Sequence, residues 1–349
     1  MRIGLFIPIG NNGWVVSETA PQYMPTFELN RSMTVRAEAG GADFVFSMGK
    51  WRGYGGTTEH WDYTMESLML MAGLAAVTET IDLYATVHPL LIHPAVAAKM
   101  LMTIDDISGG RAGVNIVTGW NKYEFSQMGL WPGDDYYPMR YEYAAEWLDV
   151  VDRLWTSGRL THHGRFFDLD DCISQPRPQR LPRPPVVCAG MSEAGLRFTV
   201  ERCDYGFVGG GPFVFDLIAQ AAAIGNEIGR PARPIVLYTL VADPTDEAAS
   251  ERADFYKRGA DVEAIDGYAG AAATDSEGTV SRHYEDFAFL TGTLIGSPDT
   301  VVAHLSELHR AGAYGVLFAL PDPEADVDFL FAEIVPRMAR AGLRNRAPQ

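Results

Sequence analysis

Lysine is scarce in this chain. Only Lys50, Lys99, Lys122 and Lys257 occur among 349 residues, so 24 of the 28 basic residues are arginines. Acidic residues outnumber them, the net charge is −17 and no basic cluster stands out. Nucleic acid and anionic membrane surfaces are therefore poor partners for it. Cysteine is rarer still: Cys172, Cys188 and Cys203, an odd number without a C-x-x-C pair. That excludes a disulfide framework and points to buried, inert thiols in a reducing compartment. No apolar run reaches the ~18–20 residues that span a bilayer. The first residues enter a strand without a charged and then apolar leader, so a cytoplasmic protein is expected.

Several catalytic signatures are missing as well. There is no G-x-G-x-x-G and no phosphate-binding P-loop, and "GMSEAG" lacks the G-x-S-x-G spacing of a hydrolase elbow. His162 and His163 are adjacent and point apart on a strand, while His304 and His309 lie five apart on a helix. Neither pair makes a ligand face, and no metal is expected.

What the chain has is alternation. Short apolar runs fall at Ile3–Pro8, Asp43–Ser47, Ile81–Val87, Ala112–Thr118, Pro185–Ala189, Tyr205–Val208, Ile235–Val241 and Gly315–Ala319. Amphipathic helical stretches separate them. Eight strands divided by helices predict a single α/β domain over 1–349, a (β/α)8 TIM barrel, with a doubly wound open sheet as competitor. The placement of unusual residues favours the barrel. Asn11, Asn12 and Trp14 follow strand one, Lys50 and Trp51 strand two, and His88 strand three. Asn115 and Trp120 close strand four, and Gly190 and Ser192 follow strand five. Barrel enzymes place their chemistry at these carboxyl ends. Two segments exceed the repeat: a proline-rich extended insertion at 157–184 before strand five, and a small, polar stretch at 261–289 after strand seven. The second has the length of a mobile lid.

Three local patterns carry chemistry. In "VVCAGMSEAG", Gly190 and the N-cap Ser192 open a helix whose free N–H groups suit an anion, though a plain capped helix looks the same. Lys50 fits a Schiff-base lysine of an aldolase-like barrel, a phosphate ligand or a solvated rim charge. In "NIVTGWNKYEF", Asn115 ends a nearly all-apolar strand, and Trp14, Trp51 and Trp120 supply flat surface nearby. That grouping suits a planar heteroaromatic ligand or a packing cluster. The amides of Asn11 and Asn12 either face a polar planar substrate beside Trp14 and Trp120 or brace the first loop.

Longer stretches carry a family. "RIGLFIPIGNNGWVVSETAPQYMPTFELN", "ESLMLMAGLAAVT", "TIDDISGGRAGVNIVTGW", "QMGLWPGDDYYPMRYEY" and "VVCAGMSEAG" resemble the bacterial-luciferase-like flavin monooxygenases, and most of all their pyrimidine-oxygenase branch. The matches cover about Met1 to Phe207. The resemblance implies a barrel that binds FMN, reduced by a separate NAD(P)H-dependent flavin reductase, and that activates O2 against a small heterocyclic substrate. It also implies a homo-oligomer. Carried over by position, the flavin contacts are Gly49, Lys50, Asn115, Glu124, Arg140, Tyr141, Gly190 and Ser192, and the oxygen pocket is Met48, Thr86 and Asn115. One departure stands out. After Thr86 the chain reads "VHPLLIHPAVAAK", where the pyrimidine enzymes resemble "AATLTLPPAIVAR" and organosulfur and sulfonate branches come closer. His88 is thus an acid, a base, a substrate contact or a wall. Pyridines, diazines and organosulfur compounds compete as substrates, and a deazaflavin-dependent dehydrogenase is the alternative of another class.

Overall fold

The computed structural model of the chain describes residues 1–274 and 288–344. Its strands are β1 (Arg2–Phe6), β2 (Phe44–Phe46), β3 (Asp82–Val87), β4 (Ala112–Ile116), β5 (Arg159–His163), β6 (Asp168–Ile173), β7 (Val186–Cys188), β8 (Tyr205–Gly209), β9 (Pro234–Ala242), β10 (Thr293–Gly296) and β11 (Gly315–Ala319). Eight of them pair in parallel in the order β1-β2-β3-β4-β7-β8-β9-β11, and β11 returns to β1. The sheet closes, which excludes the open doubly wound alternative: the fold is a (β/α)8 barrel. β10 pairs with the carboxyl half of β9, Thr293 opposite Thr239, outside that ring.

Alternation along each strand divides the side chains between two environments. Ile3, Leu5, Val45, Leu83, Ala85, Val114 and Ile116 face outward into the main apolar core, which they share with the helices. Phe6, Phe44, Phe46, Tyr84, Val187, Tyr205, Ile235, Leu237 and Leu317 form a second cluster inside the barrel. Glycine makes room for these rings. A Cβ on Gly4 would lie 2.1 Å from the Phe44 ring, and one on Gly113 would lie 2.5 Å from Tyr84. The amino-terminal half of the barrel is thereby filled, and among the described residues the main cavity lies at the carboxyl end.

Both long connections contain secondary structure. The segment 157–184 opens with the antiparallel β5–β6 hairpin. In 261–289, a helix runs over Val262–Ala272, with Asp261 capping it by accepting from the Ala264 N–H. Bridges Ser17–Ala260 and Val15–Phe289 tie this connection to the loop after β1. The middle of the expected lid, residues 275–287, lies outside the described residues. Among the described residues no helix is long and apolar enough to cross a membrane.

Candidate active site

A cavity of about 220 Å³ occupies the carboxyl end of the barrel. Its floor is Phe6, Phe46, Phe207 and Leu237, its sides include Trp14, Trp61, Trp120 and Tyr268, and Leu290, Thr291 and Gly292 close over it. Strand ends aim polar groups into this apolar chamber. β2 leads into Met48, Gly49 and Lys50, β3 carries Thr86 and leads into His88, and β4 carries Asn115.

Thr86 and Asn115 sit opposite each other in the β3–β4 register. The Thr86 hydroxyl donates to the Ser47 carbonyl, which as an acceptor leaves it no choice. Its lone pair then receives the Asn115 Nδ2–H at 3.0 Å. This relay fixes the amide so that Oδ1 is turned away from it, and Oδ1, buried, has no partner. A buried acceptor without a partner is uncommon in a folded protein and costs about 1–3 kcal/mol if left so. It is free to accept an N–H from a guest in the cavity it lines.

Lys50 and Glu124 form a buried ion pair, 7% and 3% exposed. The ammonium also donates to the Tyr54 hydroxyl at 2.8 Å and lies 5.7–5.8 Å from the Trp61 and Trp120 ring centroids. Burial pushes the Lys50 pKa down while Glu124 pulls it up. Burial, and then the Glu124 charge, hold the Tyr54 phenol well above its ordinary value. Burial is the larger effect and the pKa lies below the ordinary lysine value, with the amine a hydrogen-bond donor paired to a carboxylate.

His88 donates from Nε2 to the Gly49 carbonyl at 2.9 Å, which leaves Nδ1 as the bare nitrogen, buried and unpartnered. Burial lowers its pKa, so the ring is neutral. Gly49 has to be glycine here, since a Cβ would come within 2.7 Å of that ring.

A smaller cavity of about 60 Å³ adjoins the first and shares Val117, Trp120, Ala189 and Met191 with it. It holds the second half of the expected cofactor set: Arg140, Tyr141, Gly190 and Ser192. Ser192 caps the helix Glu193–Arg202, accepting the Gly195 N–H at 3.2 Å. Gly190 packs so tightly on Gly195 that a Cβ would lie 2.6 Å from its Cα. Arg140, only 5% exposed, lies 3.8 Å from the Tyr137 ring centroid and 4.6 Å from that of Tyr141. A guanidinium beside a helix amino terminus is a phosphate cradle. The two cavities together offer an apolar chamber for a planar ring system beside a basic pocket for an anionic tail.

The loop after β1 departs from expectation. Trp14 reaches the cavity, but Asn11 and Asn12 do not line it. Asn11 donates to the Thr58 and Glu59 carbonyls at 3.2 and 2.9 Å and accepts the Tyr63 N–H. Asn12 donates to Thr58 at 2.9 Å, accepts the Tyr23 N–H at 3.0 Å and sits at φ 64°. Their amides brace the loop formed by residues 51–64, and the substrate-facing reading of them is corrected accordingly. Trp51 also stands apart, 38% exposed and off the main cavity. Trp61 takes the expected place, held by its indole N–H donating to the Gly13 carbonyl at 2.7 Å. Sequence reasoning missed Trp61, Tyr54 and Tyr268. For Trp61 and Tyr54 the signal was the aromatic density of "WRGYGGTTEHWDY", and Tyr268 had none.

The luciferase-like monooxygenase family model matches residues 1–315. Pyrimidine monooxygenase RutA of Methylorubrum extorquens is 46% identical over 351 residues, covering 97% of this chain and 93% of the relative. RutA of Rhizobium rhizogenes is also 46% identical, covering 97% and 96%. Among solved structures, a riboflavin lyase superposes with a TM-score of 0.84 at 19% identity, covering 100% of this chain and 94% of its own.

Proposed function

Because the chain belongs to the luciferase-like monooxygenase family and is a flavin-dependent monooxygenase, we propose that it takes reduced FMN and O2 and oxygenates a pyrimidine or similar cyclic amide, opening the ring at a C–N bond. A separate NAD(P)H-dependent flavin reductase supplies the reduced FMN. The observation that carries the reading is the bare Asn115 Oδ1, fixed by the Thr86 relay in the wall of a chamber continuous with the Arg140–Ser192 cradle. The names of the relatives support the pyrimidine as substrate.

Bound reduced flavin supplies the electrons that activate O2. The protein does the rest by placement. Asn115 receives an N–H of the ring system, and Arg140 with the free N–H groups ahead of Glu193 takes the phosphate. Trp14, Trp61, Trp120 and Tyr268 offer faces and edges to a planar substrate. Lys50, its charge balanced by Glu124, donates to a substrate carbonyl and draws electron density from the amide carbon that receives oxygen. Leu290–Gly292 and the helix Val262–Ala272, which brings Tyr268 to the cavity, exclude water from that carbon.

His88 in the wall favours one further reading, the same chemistry on a pyridine, diazine or organosulfur compound. The test supplies the protein with FMN, NADH, a flavin reductase and O2 and offers each substrate separately, reading products by mass spectrometry. An oxygenated, ring-opened uracil is the expected product. Oxygenation of another panel member alone reassigns the substrate. Turnover under anaerobic conditions would sink the oxygenase reading in favour of hydride transfer with a deazaflavin.

A further inference from the structure

Opening a cyclic amide creates a demand for a proton. As the C–N bond breaks its electron pair stays on nitrogen, and an amide nitrogen departs poorly as an anion unless an acid meets it. The main chamber offers few acids. The Thr86 hydroxyl is committed to the Ser47 carbonyl, and neutral His88 gives its single N–H to Gly49. Glu124 is the carboxylate of an ion pair, and burial holds the Tyr54 proton tightly. Lys50 is the only cation among the described residues that line the chamber. Its ammonium has three N–H groups, of which Glu124 and Tyr54 take two. We propose that Lys50 is the acid of ring opening, handing its third proton to the departing nitrogen, and that a cleft behind Gly49 and His88 lets solvent restore it. The inference rests on the ring-opening reading above and deepens it.

That cleft measures about 160 Å³ and shares Gly49, Lys50, Thr86 and His88 with the main chamber. Glu66 lines it as well, and the exposed Trp51 stands at its outer side. Water takes up roughly 30 Å³ per molecule and needs two to four polar partners in such a space. Lys50, the Glu66 carboxylate and the bare Nδ1 of His88 supply them. Lys50 therefore borders the substrate on one side and a polar path to solvent on the other. With a ring system and a substrate filling the front, the cleft still joins it to water.

The proton balance closes. The N–H that polarises the carbonyl at the start ends on the nitrogen bonded to the same carbon, leaving a neutral amine beside the Glu124 carboxylate. That carboxylate draws a proton from water in the cleft back to the amine, so each ring opened consumes one solvent proton. Burial favours the first transfer by raising the energy of the ammonium, and Glu124 favours the second. The other titratable groups that act on this amine are Tyr54, His60 and His88.

Lys50→Arg keeps the charge and the N–H donors, but a guanidinium gives up no proton near neutral pH. It is expected to lower kcat on uracil at least about a hundredfold, and to lose less on a ring amide whose departing nitrogen is more acidic. Activity near wild type, or an equal loss on both substrates, overturns the acid and leaves Lys50 as a polariser of the carbonyl. Leu91→Phe and Ile92→Phe narrow the cleft. They should form product at the wild-type rate in the first turnover and more slowly in later ones, and wild-type steady-state rates in both overturn the inlet. The chain has only four lysines, so NMR of protein labelled at lysine Cε resolves Lys50 without flavin or substrate, assigned by its loss in Lys50→Arg. Titration below the other three is expected, and titration together with them overturns the acid. A wild-type protein that opens no ring refutes the parent reading instead, a result distinct from the others.

Discussion

Thr86→Val tests the relay at its weakest point. Valine keeps the branched shape and removes the hydroxyl, so the Ser47 carbonyl loses its donor and Asn115 Nδ2 loses its acceptor. Thr86 and Asn115 are 4% and 3% exposed, so bulk water compensates the loss poorly. Each stranded buried group costs about 1–3 kcal/mol, which puts the loss at about 2–4 kcal/mol after some relaxation. The Asn115 amide is then free to turn over and show its NH2 to the cavity. A guest N–H would meet a donor, losing about 1.4 kcal/mol or more, a factor of about ten in Kd. Denaturant titration reads the first effect and fluorescence titration with FMN the second. Thr86→Ser restores the hydroxyl and should recover most of both. If Thr86→Val binds FMN as tightly as wild type with unchanged stability, the relay does not orient Asn115 and the argument fails.

The phosphate cradle predicts a ratio: Arg140→Met should weaken FMN at least about tenfold while leaving riboflavin, which has no phosphate, nearly unaffected. Equal losses for the two ligands would place the phosphate elsewhere. The buried pair predicts non-additivity. Lys50→Met and Glu124→Gln should each destabilise by about 3–5 kcal/mol, because each strands a buried partner, and the double variant by much less than their sum. Additive losses in denaturant titrations would show that the two groups do not depend on each other. His60 predicts a pH dependence. It is fully buried with neither ring nitrogen partnered, and burial lowers its pKa from 6.5 to about 3. The unfolded chain binds this proton from pH 6.5 downward and the native protein does not. The contribution is therefore complete above pH 6.5 and is lost on acidification by about 1.4 kcal/mol per pH unit until about pH 3. His60→Phe should show a correspondingly shallower decline between pH 6 and 4, and identical slopes would refute the assignment.

The barrel strands were legible because a buried parallel strand is an almost continuous apolar run, and all eight runs became barrel strands. β10 was not, since four residues beginning after "TG" make too short a pattern. The β5–β6 hairpin was hidden for a different reason: each strand buries only one leucine, Leu160 or Leu169, among charged and exposed residues, too few to mark a strand. Loop placement was least legible. The chain after β2 turns back through Gly55 and Gly56, both at positive φ, and brings Trp61 to the cavity while Trp51 faces outward. Proximity to a strand end in sequence favoured Trp51, and the fold of the loop reversed the order.

The asparagines show what kind of information the sequence withholds. Asn11, Asn12 and Asn115 all follow or end barrel strands, and all are nearly fully buried. An amide can give two hydrogen bonds and accept two. Asn11 uses both donors and its oxygen within the loop, and Asn12 uses one donor and its oxygen. Asn115 makes one bond, to Thr86, and keeps its oxygen bare. Residue type and burial are the same in each case, and the difference is capacity left unspent. That capacity depends on which carbonyls the neighbouring loop presents, a property of three-dimensional closure that no local pattern records. It also explains why the resemblance located Asn115 where the residues themselves left two readings open. For a buried amide at a barrel mouth, the bare oxygen separates a ligand site from a brace, and at Asn115 it points to a ligand.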